Sequence, residues 1–164
     1  MAEDKKNPLG PTGEQVRRNV TRIREARGLT KKELSDRTSE LGRPIPPLGV
    51  SRVEAGTRRV DADDLVVLAV ALDVSPSSLL LPLDDAEDVL VEVTGAGQVP
   101  ASAAWDWLDG RGLLNRKPGV DLRPVLDYEQ FGRPPGRRPV SAEVAQLLPQ
   151  ALLIYGRADG EGLD

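Results

Sequence analysis

TKKELSDRTSELGRPIPPLGVSRVEAGTRRVDADDLVVLAVALDVSPSSLLLP, residues 30–82, carries the punctuation of four short helices. Thr30 followed by Glu33 is a capping box, in which the hydroxyl and the carboxylate each satisfy an orphan amide of the first turn. From that start Leu34 and Leu41 continue an inward stripe, and Gly42 stands as the stop. The run Arg43-Pro44-Ile45-Pro46-Pro47 has no helical interior, because each proline removes a donor and biases the residue before it away from the α region. The chain turns there. Pro47 then fits the first turn of a helix running through Ala55, with Gly56 as terminator. Asp61 caps the next helix, with Asp63 and Asp64 where the helix dipole favours acids. Its body, LVVLAVAL, is apolar almost all round, which predicts a helix central to a small core. Ser75 and Pro76 start a last short helix that ends at Pro82.

Working outward, Thr12 and Gln15 have the spacing of another capping box, and Gly28 closes the helix between them. Val16, Val20, Ile23 and Arg27 fall at helical spacing on one side. Arg17, Arg18, Arg22 and Arg24 lie opposite, suited either to solvation or to phosphate. Residues 1–11 are polar, hold Pro8 and Pro11, and read as a flexible arm whose Lys5 and Lys6 add positive charge. The expected fold class is therefore all-α, a five-helix domain over residues 12–82.

Composition fits a small basic domain with an acidic remainder. The 164 residues carry a net charge of −4, distributed as +6 over residues 1–60 and −10 over residues 61–164. A basic amino-terminal part supplies an electrostatic footprint for phosphate even when the whole chain is acidic. No Cys and no His are present, which removes disulfides, zinc fingers and thiol or imidazole catalysis. An enzyme is not expected, and neither is a cofactor. No apolar run approaches the roughly 20 residues that span a bilayer, so the expectation is a cytoplasmic protein without a membrane partner.

Beyond Leu83 the pattern weakens: seven Pro and ten Gly fall in residues 83–164. Asp88 to Val93 suits a strand or a helical turn. Pro100 to Leu108 reads as a helix with Ala104, Trp107 and Leu108 on one side and Gly110 as its stop. Because Trp105 and Trp107 are two apart they cannot share one helix face, so either at least one sits at a surface or an interface, or both pack around a small carboxy-terminal helix. Phe131 to Pro139 has linker composition, with Arg133, Arg137 and Arg138 among prolines, and Ser141 to Leu148 reads as another helix. Residues 83–164 are thus a region of unknown role: dimerisation, partner binding or disorder. The acids Asp61, Asp63 and Asp64, and Asp84, Asp85, Glu87 and Asp88, lack calcium-loop spacing and read as caps and solvated groups. Gly95-Ala96-Gly97 lacks the third glycine of a dinucleotide fingerprint.

Three segments together, RGLTKKEL (residues 27–34), SRVEAG (51–56) and LVVLAVALDVSPSSLL (65–80), resemble the Cro and phage-repressor type of helix-turn-helix regulator, the XRE family, and within it the actinobacterial members. The resemblance covers residues 16–80. It implies a sequence-specific, DNA-binding transcriptional regulator of the cytoplasm, nucleoid-associated when bound, acting by operator occupancy on double-stranded DNA as a homodimer. By the same resemblance Thr30, Lys31 and Lys32, and after the third helix Thr57, Arg58 and Arg59, would hold phosphates. Pro47, Leu48, Gly49 and Arg52 would face base edges, and Arg24 with Glu54 would form a structural ion pair. Arg52 suits guanine, whose O6 and N7 a guanidinium bonds together; Leu48 suits either a thymine methyl or the core. Two features depart from the pattern: the link between the second and third helices is about five residues longer than is usual for the motif, and the recognition helix opens Pro-Pro-Leu-Gly. The alternative function is an antitoxin-like or adaptor protein whose residues 83–164 grip a protein partner, with DNA binding secondary.

Overall fold

The structure is a computed structural model that describes residues 8–114 and 123–134. The chain divides into two compact units, residues 1–115 and 116–164. The first holds α1 (Pro11–Ala26), α2 (Lys31–Glu40), α3 (Pro47–Glu54), α4 (Ala62–Ala71), α5 (Pro76–Leu80), β1 (Leu90–Val93), β2 (Gly97–Pro100) and α6 (Ala101–Leu108). The second holds α7 (Arg123–Phe131), a helix that the linker composition around Phe131 concealed. The expected helix at Ser141 to Leu148 lies outside the described residues.

Helix α1 begins one residue earlier than its apparent capping box. Gly10 is the N-cap and Pro11 the first helical residue, a place where the missing proline N–H costs nothing. Thr12 does not cap. It exchanges bonds with Thr94, whose N–H donates to the Thr12 hydroxyl at 3.0 Å while the Thr12 N–H donates back to the Thr94 hydroxyl at 3.3 Å. Val16, Asn19, Val20, Ile23 and Arg24 are buried along one face. Arg27, expected on that stripe, is exposed and reaches Asp73. The Asn19 amide donates to the carbonyls of Leu79 (3.0 Å) and Leu81 (2.7 Å), filling acceptors that the end of α5 leaves open.

At α2 the capping box forms as the spacing predicts, with Thr30 and Glu33 bonded both ways. Leu41 leaves the stripe: α2 ends at Glu40, and Leu41 is nearly half exposed. Its place in the core goes to Thr38 and Ile45, both fully buried. The Thr38 hydroxyl donates to the Ser35 carbonyl at 2.8 Å and accepts the Ile45 N–H at 3.1 Å. The prolines on either side of Ile45 therefore hold an extended residue whose side chain is driven inward. The link runs from Leu41 to Pro46, six residues, so it exceeds the usual turn by about two or three and not by five.

Helix α4 buries Val67, Leu68, Ala69 and Ala71, but Val66 and Val70 are exposed. Its all-round apolar character is thus only partly used, because no described element covers that side. Core residues from α1 to α5 form one cluster around Val20, Leu34, Ile45, Leu68, Leu72 and Leu79.

Past Pro82 the same compact unit continues. β1 and β2 form an antiparallel hairpin, Leu90 opposite Pro100 and Val93 opposite Gly97. Val91, Val93 and Val99 join Leu81, Ala101 and Ala104 in a second cluster, with Trp105 and Leu108 against it. The inward face of α6 is therefore Ala101, Ala104, Trp105 and Leu108, at helical spacing. Trp107, whose spacing places it on one side with Ala104 and Leu108, is the exposed tryptophan. Trp105 is fixed by its ring N–H, which lies 3.1 Å from the carbonyls of both Pro82 and Asp84. No helix among the described residues is long and apolar enough to cross a membrane.

Replacing Thr38 by Val keeps the shape but orphans the buried Ile45 N–H. A loss of about 1–3 kcal/mol is expected, read from urea unfolding of Thr38→Val against wild type.

Candidate nucleic-acid interface

Eight residues of α3 decide the geometry. Gly49, Val50 and Val53 are buried, so Pro47, Leu48, Ser51, Arg52 and Ala55 share the outer side. Leu48 is 61% exposed, which removes the core-packing alternative for it. Arg52 is exposed, and its guanidinium has no hydrogen bond or ion pair among the described residues. Gly49 does not stand with them. A Cβ there would lie 2.8 Å from the Arg58 guanidinium and 3.1 Å from Ile45, so this glycine makes room for the side chains behind α3. Of the four residues placed at base edges by resemblance, the structure brings Pro47, Leu48 and Arg52 to one exposed face and turns Gly49 inward.

Two carboxylates hold the helix. Glu54, its last residue, has its side chain largely out of solvent and takes the Arg24 guanidinium on both oxygens, at 2.5 and 3.2 Å. Arg24 also donates to the Leu29 carbonyl at 2.7 Å. The Glu54 hydrogen bond raises the Arg24 pKa against the opposing effect of burial. Lys31 completes the group, its Nζ 3.4 Å from Glu54 and 3.1 Å from the Ser51 hydroxyl. A residue placed at phosphate by resemblance thus also joins α2 to α3.

The second carboxylate is Asp64, on α4 and almost fully buried. One oxygen accepts from Arg43 at 3.0 Å and the other from Arg58 at 2.7 Å. Arg43 precedes α3 and Arg58 follows it, so one side chain ties down the chain at both ends of the helix. Arg43 extends across the start of α4 to Asp61 at 2.8 Å and Asp63 at 3.3 Å. Its pKa is raised, chiefly by the bond to Asp64. Asp61 has its pKa lowered, first by the Asp64 backbone N–H it caps and then by Arg43. The triplet of acids is therefore a seat for a guanidinium. The spacing of acids alone did not expose this, because Arg43 is distant in sequence and capping already accounted for acids at the start of α4.

The other residues placed at phosphate by resemblance have local partners as well, as do two arginines of α1. Thr30 gives its N–H and hydroxyl to Glu33, each at 2.7 Å, and that backbone bond lowers the Glu33 pKa. Lys32 pairs with Asp36 at 2.6 Å, which raises the Lys32 pKa. Thr57 donates its hydroxyl to the Arg52 carbonyl at 3.3 Å, and Arg59 donates to the Pro8 carbonyl at 2.7 Å. On α1, Arg17 pairs with Glu14 and Arg22 with Asn19, whereas Arg18 is exposed.

Residues 20–79 match the family described as helix-turn-helix, from within α1 to within α5. The matched stretch contains α2 and α3 whole, the pair of short helices joined by the proline turn. Neither a curated protein nor a solved structure matches the chain.

Asp64→Asn keeps the volume and removes the charge shared by two arginines. A loss of about 1–3 kcal/mol is expected, with a double-mutant cycle against Arg43→Met showing coupling. The sign of the pH dependence follows from Asp61. Its folded pKa lies below the unfolded value near about 3.9, so its contribution is full above that value and vanishes as pH falls through the folded pKa. Asp61→Asn is expected to flatten the acid limb of stability below about pH 4, measured by chemical unfolding across a pH series.

Proposed function

We propose that the protein is a sequence-specific transcriptional regulator that acts by occupying operator DNA, with α3 in the major groove and α2 across the backbone. An α-helix fits that groove and presents its side chains to base edges. The observation that carries this reading is the exposed face of α3, with Leu48 open to solvent and Arg52 unengaged, in a domain that matches the helix-turn-helix family. Arg52 is the guanine reader and Leu48 the thymine-methyl contact, with Pro47 beside them.

Phosphate contacts fall to the N-terminus of α2 and to the connection after α3. Thr30, Lys31 and Lys32 stand at the first, Thr57, Arg58 and Arg59 at the second. Most of these groups already have an acceptor within the protein, which holds their side chains in place before DNA arrives. Phosphate then competes with, or adds to, an existing bond. Because only one strong base-reading side chain stands on the helix, DNA shape contributes to sequence preference. Operators are bound by a homodimer on half-sites about one helical turn apart, in the cytoplasm.

Selection from random duplexes tests this. A single enriched motif is expected, and Arg52→Ala is expected to relax one position per half-site by about 1–3 kcal/mol. Absence of any enriched sequence overturns the reading. Lys31→Ala is expected to weaken binding to all sequences alike and to reduce the salt slope by about 0.9, measured as affinity over a salt series.

A further inference from the structure

A cavity of about 470 Å³ opens where Pro8–Gly10, the start of α1, the connection from α3 to α4 and Thr94 at the hairpin turn meet. Its floor is the main core itself: Val16 and Val53 line it and are otherwise buried, with Leu65 and Leu80 beside them. A volume of that order with an apolar floor and a few polar groups is the usual form of a small-molecule site.

The charged residues around it are one-sided. Among the described residues, Arg17, Arg58 and Arg59 line the cavity with one acid, Asp61. The Asp61 carboxylate is already engaged by Arg43 and by the Asp64 N–H. Arg17 and Arg58 are oriented by Glu14 and Asp64, and a guanidinium has five donors to share. An incoming anion therefore meets guanidinium donors held in place above an apolar floor, whereas a cation meets only a carboxylate that is already engaged.

We propose that this cavity binds a small amphipathic anion, an apolar body of ring size carrying one carboxylate, and that its occupancy changes the affinity of α3 for DNA. The coupling runs through the connection leaving α3. Arg58 belongs both to the cavity wall and to the Asp64 seat that secures α3 at its two ends. A carboxylate that draws on Arg58 alters that seat, and whatever it does to DNA affinity, DNA must do to carboxylate affinity. The coupling rests on the DNA-binding reading; the site itself does not.

The test titrates the isotope-labelled full chain with 2-naphthoate, with neutral 2-naphthol and with 2-naphthylmethylammonium, following methyl resonances. Saturable shifts at Leu9, Val16, Val60 and Leu65 are expected, with naphthoate about tenfold tighter than naphthol. Arg17→Gln is expected to bring naphthoate down to the level of naphthol while leaving naphthol itself unchanged. Ala62→Leu, which narrows the cavity from an exposed wall position, is expected to abolish binding of both, with its unfolding curve confirming an intact fold. No saturable shift, equal binding of the ammonium compound, or full binding by Ala62→Leu overturns the site. Naphthoate is further expected to change affinity for the selected duplex in wild type and not in Ala62→Leu. Binding without such a change overturns the coupling. Failure of duplex selection bears on the DNA reading alone, since the titration needs no DNA.

Discussion

The position of α3 depends on one buried carboxylate. Asp64 holds Arg43 on one oxygen and Arg58 on the other, and those two arginines stand on either side of α3. A helix of eight residues has little stability of its own, since nucleation is costly and most helical stability comes from packing. Val50 and Val53 provide that packing on the inner face. What packing does not fix is rotation and slide along the groove beneath, and ion pairs at both ends of the helix fix both. Gly49 belongs to the same arrangement, because any side chain there would meet the Arg58 guanidinium.

The second anchor, Glu54, works at the C-terminal end. It neutralises Arg24, which lies largely out of solvent, and takes a further contact from Lys31. Paired in this way, neither charge is left buried without a partner, the condition under which a buried charge is strongly destabilising. Together Asp64 and Glu54 divide the basic residues into two groups. Arg24, Arg43 and Arg58 serve the scaffold, while Arg52 stands open on the outer face. The positive charge of residues 1–60 is thus less available to a polyanion than its sum implies.

Residues beyond Pro82 extend this scaffold. Thr94 at the hairpin turn bonds the first turn of α1, and Asn19 of α1 bonds the chain as it leaves α5. The hairpin and α6 then enclose a small core of their own around Val91, Val99 and Ala104. The sequence pattern was weak here for a physical reason. Four-residue strands and an eight-residue helix leave too few periods to distinguish a half-buried strand from a helical turn, and only the pairing of Val91 with Val99 settles which face is inward.

The sequence by itself determined the local signals: the capping box at Thr30, the caps Asp61 and Ser75, the stops at Gly28, Gly42 and Gly56, and the proline turn before α3. Each is a contact between residues a few positions apart, so the chemistry that makes it is written in adjacent letters. Gly56 shows this well, since its φ of +72° is open to glycine and strained for other residues. Tertiary structure alone decided the rest: that Thr12 serves Thr94 and not its own helix, that Leu41 yields its place to Ile45, that Trp105 and not Trp107 turns inward. It also decided that three acids at the start of α4 form a seat for arginines from either side of α3. Those outcomes depend on which groups meet after the chain has folded back over tens of residues, and burial then assigns each polar atom the partner nearest in space, not the one nearest in sequence.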